Sequence, residues 1–458
     1  MAIPYNERTL ELVRQLLEQN RRDEAFAVIA SLFPADKASL FEALDTEMQE
    51  RLLPEVDPDD AADILEEMNY EDAAALAESL DTDALVQVLD EMEPDEAADL
   101  LGDLDPELRT EALEAMEDAD EVRSLLRYPD DSAGGLMTSD YYVFSEQERV
   151  GQAFRHIRSE APPDEEIPYV YAVDERGRLS GVARLADLIR AHPELPLGTI
   201  VDPDTISVQA DEDQETAARL MQRYDLMALP VVDTIGRLVG VISADDAMEA
   251  LEEEASEDIY LASGIVTMSG QEAARSDLLV RGPLYRTWLV RVPFLIVAMV
   301  GGMLAGVVMG AYEEALEAVI VLAMFVPVVM ALGGSAGAQS TEIFIRSHAL
   351  GQLDTRRFAR HLLREIVVGV GIGVVLGLMT GVLAAVWQGL AVLGLVVGLS
   401  LAVTLALSTA LGFIIPFLLL KLGWDPAAGA IPFITTVKDV TSVLVYFVLA
   451  TQLMGHLM

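Results

Sequence analysis

The stretch Asp425-Pro426-Ala427-Ala428-Gly429-Ala430-Ile431-Pro432-Phe433-Ile434-Thr435-Thr436-Val437-Lys438-Asp439-Val440 decides how the chain is read. It continues through Thr441 and Ser442 into Val443-Leu444-Val445-Tyr446-Phe447-Val448-Leu449-Ala450, which has the texture of a membrane-spanning helix. Asp439 puts a carboxylate inside it. A charge at that depth costs about 2.5–3.5 kcal/mol or more, so it normally faces a partner or a water-filled path. Pro432 lacks an N–H and is expected to free a backbone carbonyl one turn earlier, where a freed carbonyl survives by lining a cavity. Thr435 lies between the two on the same helix face. This is the outline of an ion path. The structural alternative has Lys438 and Asp439 neutralise each other or snorkel, but neighbours on a helix point about 100° apart, so pairing within one chain is expected to be poor.

Four more apolar runs precede this one. The five spans are predicted at about 287–310, 316–344, 362–387, 391–420 and 428–456, each long enough for a hydrocarbon core of about 30 Å. Arg281, Arg286 and Arg291 precede the first span; Arg346, Arg356, Arg357, Arg360 and Arg364 fill the second connection, and Lys421 follows the fourth span. Glu313, Glu314 and Glu317 lie in the first connection. The positive-inside rule then makes the N-terminal half cytoplasmic and the C-terminus external. An odd number of spans gives no inverted repeat, so a pore is expected on a dimer axis. The second span ends in Gly333-Gly334-Ser335-Ala336-Gly337-Ala338-Gln339-Ser340, which reads either as close helix packing or as neutral oxygens beside an ion that keeps its water shell. Mg²⁺ usually keeps several waters.

The charge is divided as sharply as the hydropathy. From Leu278 onward there are ten Lys and Arg against eight Asp and Glu, a net of +2. Residues 1–277 hold the other 20 basic and 68 acidic residues, a net of −48. An acidic surface argues against nucleic acid, whose phosphates demand Lys and Arg. It favours hard divalent cations, which take oxygen ligands, or else a solvated acidic surface with no ligand. The chain has no cysteine, which excludes disulfides and thiolate metal sites. No apolar h-region follows the N-terminus, so no signal peptide is predicted.

Residues 1–128 read as an all-helical array. Cap signals begin at Asp57, Asn69, Asp81, Glu93 and Asp105, a period of twelve. Each is followed by an acidic first turn, suited to the helix dipole, and an Ala/Leu stripe such as Ala61, Ile64 and Leu65 or Ala97, Leu100 and Leu101. Helices that short must stack, as a superhelix, to bury a face. Residues 129–250 change to short β runs alternating with helices, in two matching halves. Tyr169–Val182 parallels Leu229–Val241, with Gly177 and Gly236 in equivalent Gly-Arg turns that mark hairpins. Gly134-Gly135-Leu136-Met137-Thr138 opens the first half and Leu197-Gly198-Thr199-Ile200-Val201 the second. Residues 251–280 form a charged connecting helix with Glu252, Glu253, Glu254, Glu257 and Asp258, and 281–458 the membrane domain.

The paired halves resemble a tandem CBS module, which implies a β-α-β-β-α unit used twice and ligand sensing without catalysis. Many such modules hold adenine nucleotides with a hydroxyl residue and an aspartate three positions later. Here that implies Ser243 and Asp246 in the second repeat, and Asp187 in the first, where Arg184 replaces the hydroxyl. ATP is therefore a doubtful ligand.

The order of acidic helical domain, CBS pair, connecting helix and five spans resembles the MgtE family of magnesium channels over essentially the whole chain. The motifs carrying the resemblance are Gly134–Thr138, the run at 333–340 and the Asp-Pro-Ala…Pro…Asp-Val-Thr segment at 425–441. It implies a homodimer in the cell membrane with a central pore, no enzymatic activity and no nucleic-acid partner. It implies that Asp439 selects hydrated Mg²⁺ with the carbonyl of Thr435, and that Asp425 lies at the inner mouth. It further implies that cytoplasmic Mg²⁺ closes the pore by binding among Asp95, Asp99, Asp213, Glu215, Asp225, Asp246, Glu249, Glu254, Glu257 and Asp258. Lys438 stands where small hydroxyl residues are usual, and by helical phase should point toward a neighbouring span; Ser335 and Ile431 replace asparagines found in some members. Two alternatives remain: a transporter of Mn²⁺ or Co²⁺, disfavoured by the lack of Cys or nearby His, and a non-conducting membrane-anchored sensor. The five histidines are scattered, with no nucleophile–base constellation.

Overall fold

The twelve-residue spacing becomes a series of helix starts. The structure, a computed structural model, describes residues 7–19, 21–117, 119–159, 168–265, 279, 282–353, 355–427 and 430–454. They fall into two units, Met1–Glu254 and Ala255–Met458, each treated by itself. The first opens with α1 (Glu7–Glu18), α2 (Arg22–Ile29), α3 (Pro34–Glu42), α4 (Thr46–Leu52), α5 (Pro58–Glu66), α6 (Tyr70–Ala77), α7 (Thr82–Leu89), α8 (Pro94–Asp103), α9 (Pro106–Ala115) and α10 (Ala119–Leu125). All five predicted cap residues immediately precede a helix. Asp81 accepts from the Ala84 N–H at 2.9 Å and Asp105 from that of Glu107 at 3.0 Å. Pro58, Pro94 and Pro106 take the first helical position, where the missing N–H is not needed.

Stacking skips one repeat: α5 packs on α7, α6 on α8, α7 on α9 and α8 on α10. A second set of caps follows that geometry. Glu66 Oε1 accepts from the Glu93 N–H at 2.8 Å, Glu78 Oε1 from Asp105 at 3.1 Å, and Asp90 Oδ1 from Glu117 at 3.0 Å. Each bond reaches 27 residues along the chain. The acid that ends one helix thus satisfies an N–H at the start of another, where negative charge suits the dipole. The stripe residues Ala61, Ile64, Leu65, Ala97, Leu100 and Leu101 are all buried.

The paired halves form two three-stranded sheets. β1 (Tyr142–Ser145) runs parallel to β2 (Tyr169–Val173), which pairs antiparallel with β3 (Leu179–Arg184); α11 (Val150–Ser159) and α12 (Leu185–Arg190) complete the unit. β4 (Val208–Gln209), α13 (Gln214–Tyr224), β5 (Ala228–Val232), β6 (Leu238–Ser243) and α14 (Ala244–Ala262) repeat it in the same strand order. Gly177 and Gly236 take positive φ (75° and 82°) in the hairpin turns, a backbone region open to glycine. The hairpins are tied to each other, the Leu179 N–H donating to Gly236 O and the Leu238 N–H to Gly177 O, both at 3.1 Å. The opening segments cross over. Thr138 pairs with Val241 of the second sheet and Asp202 with Val182 of the first, so the Gly-Gly-Leu-Met-Thr stretch docks on the opposite half from the one it was expected to open.

The expected connecting helix is continuous with the last CBS helix, as α14 runs from Ala244 to Ala262 without a break. Most of the remaining connector, residues 266–278, lies outside the described residues. Among the described residues, five helices are long and apolar enough to cross a membrane: Leu284–Ala311, Ile320–Ala349, Thr355–Gln388, Ala391–Lys421 and Ile431–Met454. The second starts later than expected, because a short helix ends at Ala318 and the regular α-helix begins at Val326, with Pro327 in its first turn. The third and fourth spans touch through glycine. A Cβ at Gly381 would lie 2.5 Å from the Gly394 carbonyl, and one at Gly373 would lie 2.7 Å from that of Ala402. Contact this close supplies the dispersion energy that holds membrane helices together.

Candidate ion path and metal-sensing carboxylates

In the first unit, carboxylates of the helical domain meet carboxylates of the second CBS repeat. Asp95, in the first turn of α8, is buried. It is held by the Thr138 hydroxyl and by the N–H groups of Glu96 and Asp95 itself, while Oδ1 is buried with no hydrogen-bond partner among the described residues. Burial raises its pKa above the usual range against those bonds, and the charge of Asp245 adds to the rise. Asp246 is raised first by burial and then by the charge of Asp95. Burial pushes Glu66 up to about 7, with Asp63, Asp95 and Glu67 adding to it and the Glu93 N–H opposing. Glu67 is raised by burial and by Asp63 and Asp245; Glu249 by loss of solvent and by Glu67, Asp245 and Glu252. Among the described residues no three His, Asp or Glu stand close enough to hold one ion. The arrangement is therefore a desolvated group of like charges that protons or a divalent cation would neutralise. The orphaned Asp95 oxygen suits a hard cation, which takes oxygen ligands.

The second unit holds the membrane helices. The last of them is helical over the described residues Ala430–Met454, which include Pro432. The carbonyl that Pro432 was expected to free, one turn earlier, falls on residue 428, which with 429 lies outside the described residues. Thr435 and Asp439 are half-buried, one turn apart on one face, as expected. Asp425 lies exposed before the helix, its Oδ1 accepting from the Ala427 N–H at 2.6 Å. Lys438 departs from its expected role. Its buried ammonium curls back to Asp439 Oδ1 at 2.8 Å, and also donates to the Met330 carbonyl of the second span at 3.2 Å. Four methylenes let the side chain cover the angular gap between neighbours, so the pairing expected to be poor forms, and the reach toward a neighbouring span also holds. Of the neutral oxygens in the 333–340 run, Ser335 bonds Ala331 O in its own helix, and Ser340 donates to Glu365 on the third span at 2.5 Å.

Three family profiles cover most of the chain: "MgtE intracellular N domain" at residues 9–131, "CBS domain" at 133–194 and 197–253, and "Divalent cation transporter" (MgtE) at 326–449. The magnesium transporter MgtE of Thermus thermophilus is 37% identical over 334 residues, which is 73% of this chain and 72% of that protein. The chain belongs to the MgtE family of magnesium transporters. A crystal structure of the soluble part of a magnesium transporter is 28% identical, covers 54% of this chain and 99% of that one, and superposes with a TM-score of 0.50. Another, of the cytosolic domain of the Mg²⁺ channel MgtE in complex with ATP, is 35% identical over 52% of this chain and 97% of that one, with a TM-score of 0.49. The expected architecture of helical domain, CBS pair and five spans stands, and the protein is a multi-pass membrane protein.

The carboxylates assigned through the MgtE resemblance divide by what they do here. Asp95, Asp246 and Glu249 belong to the like-charged group described above. Asp99 lies half-buried one turn after Asp95 on α8. Asp213 caps α13, accepting from the Glu215 N–H at 2.9 Å, and Glu215 pairs with Arg219. Asp225 ends α13 in the left-handed region (φ 52°). Glu254 accepts from Gln214 at 2.9 Å, while Glu257 and Asp258 belong to the second unit. Sequence reasoning missed Glu66, Glu67 and Asp245. The adjacent acids at 66–67 and 245–246 were a weak signal, since only the fold shows which acid of each pair loses solvent.

Proposed function

We propose that this MgtE-family chain is a Mg²⁺ channel, acting as a homodimer, that cytoplasmic Mg²⁺ closes. Asp439, with the carbonyl of Thr435, is the ion-binding point of the path, and Asp425 lies at its inner mouth, with the C-terminus outside the cell. The regulatory ion is taken by the carboxylates of the helical domain and the CBS pair, with Asp95 and Asp246 foremost, and by the acids of the connecting helix. The observation that carries this reading is the buried, unpartnered Oδ1 of Asp95 among acids that all resist ionisation. Without a cation these groups repel and lose solvent together; a divalent ion supplies charge to both sides at once. A ligand shifts such an equilibrium only by its differential affinity for the closed arrangement, and several weak sites acting together give a steep response.

Nucleotide is the weaker reading for the CBS pair. Asp187 is already taken by Arg184, at 2.8 and 3.2 Å, and Ser243 donates to Asp246. The conducting role is tested by Mg²⁺ uptake into liposomes containing the purified chain. Loss of uptake in Asp439→Ala supports it; uptake undiminished in that variant removes Asp439 from the path, and no uptake by the wild type favours a sensor that does not conduct.

A further inference from the structure

The cation nearest Asp439 is attached to its own helix. Lys438 Nζ sits 2.8 Å from Asp439 Oδ1 with a side chain only 4% exposed, and Met330 O accepts its other observed bond at 3.2 Å. The seat depends on glycine, because a Cβ at Gly334 would lie 2.5 Å from Nζ. Asp439 keeps 18% exposure, so its carboxylate is not sealed away from an approaching ion. Lys438 is the only Lys or Arg after Lys421. Glu365, the carboxylate of the third span, is engaged by Ser340 instead.

We propose that Lys438 is a specificity-determining residue of the ion path: a tethered counter-ion that neutralises Asp439 and denies it to monovalent cations. This rests on the reading of Asp439 as the ion-binding carboxylate. A sodium or potassium ion approaching the pair meets no net charge. To take the carboxylate it would have to strand the ammonium beside a single carbonyl, and breaking one side of a buried pair is costly. On the exposed side of Asp439, where the carboxylate is nearer than the buried ammonium, a divalent ion feels the residual attraction of the pair twice as strongly as a monovalent one at the same position. Because Mg²⁺ keeps several waters, it engages Asp439 through its hydration shell while the ammonium stays in its seat. The same neutralisation weakens the hold on Mg²⁺, and a conducting site must bind weakly enough to release.

The test uses the full chain in lipid bilayers, with Mg²⁺ on one side and Na⁺ on the other, and reads the reversal potential. Lys438→Met removes charge and hydrogen bond together; Lys438→Gln removes the charge and keeps a donor for Met330 O. Both are expected to lower the Mg²⁺/Na⁺ permeability ratio by about tenfold, the equivalent of about 1.4 kcal/mol of discrimination. A ratio unchanged in both overturns the proposal. A ratio lost in Met and kept in Gln overturns it as well, by assigning Lys438 a packing role. If Lys438→Met fails to assemble, Lys438→Gln alone decides. Asp439→Ala run beside them separates the two claims: if it abolishes Mg²⁺ current while Lys438→Gln keeps the wild-type ratio, only the role of Lys438 falls.

Discussion

Asp95 on the helical domain raises the carboxyl of Asp246 on the last CBS helix, second only to the loss of solvent around it. Two acids from different domains are thus held where their charges work against each other. Neutralising one should relieve the other. Asp246→Asn, which still accepts from Ser243, is expected to raise the melting temperature of the Mg²⁺-free protein by roughly 2–4 °C per kcal/mol of relief. It should also shrink the further rise that Mg²⁺ produces. Differential scanning fluorimetry with and without Mg²⁺ reads both; a variant that melts lower and keeps the full Mg²⁺ response would contradict the coupling.

The same acids set a pH dependence. Glu66, pushed to about 7, and Asp95 and Asp246, both raised, hold protons in the folded state that the unfolded chain releases near pH 4. The folded state therefore binds more protons between those values, and stability falls as pH rises from about 4 toward 7. Below that window the contribution is fully present. Urea midpoints across this range at low Mg²⁺ should decline, and adding Mg²⁺ above pH 7 should recover part of the loss.

The caps that reach 27 residues along the helical domain are open to a direct test. Glu78→Ala leaves the Asp105 N–H without its carboxylate, and loss of a helix cap costs about 0.5–2 kcal/mol. Chemical denaturation should show that cost, with Glu78→Gln, which can still accept, falling between the two.

In the membrane unit, Gly381→Leu places a branched side chain against the Gly394 carbonyl, where even a Cβ would sit at 2.5 Å. The third and fourth spans cannot then approach as they do. Thermal stability in detergent, followed by size-exclusion chromatography, is expected to drop well below wild type, and Gly310→Leu, where a Cβ meets nothing within 4 Å, should be tolerated.

Much of this was legible in the sequence because it was written in local rules. Asp57, Asn69, Asp81, Glu93 and Asp105 announced helix starts by cap chemistry, and Gly177 and Gly236 announced matching hairpins. What stayed hidden depends on distance across the fold. Skip-one stacking, the capping by Glu66, Glu78 and Asp90, and the crossing of Thr138 to Val241 link residues far apart in sequence. Helix phase foresaw the reach of Lys438 to a neighbouring span but not its pairing with Asp439, because a long side chain can turn back on its neighbour when a glycine on another helix makes room.

The central claim, that cytoplasmic Mg²⁺ closes the path through these carboxylates, is met most directly by one titration. Current through the reconstituted full chain is recorded while Mg²⁺ on the cytoplasmic face is raised, for wild type and for Asp95→Asn combined with Asp246→Asn. The account predicts steep closure in the wild type and a midpoint shifted to markedly higher Mg²⁺ in the double variant, with the current at low Mg²⁺ unchanged in its dependence on Asp439. Wild-type current indifferent to cytoplasmic Mg²⁺, or a double variant that closes at the wild-type concentration, would contradict it.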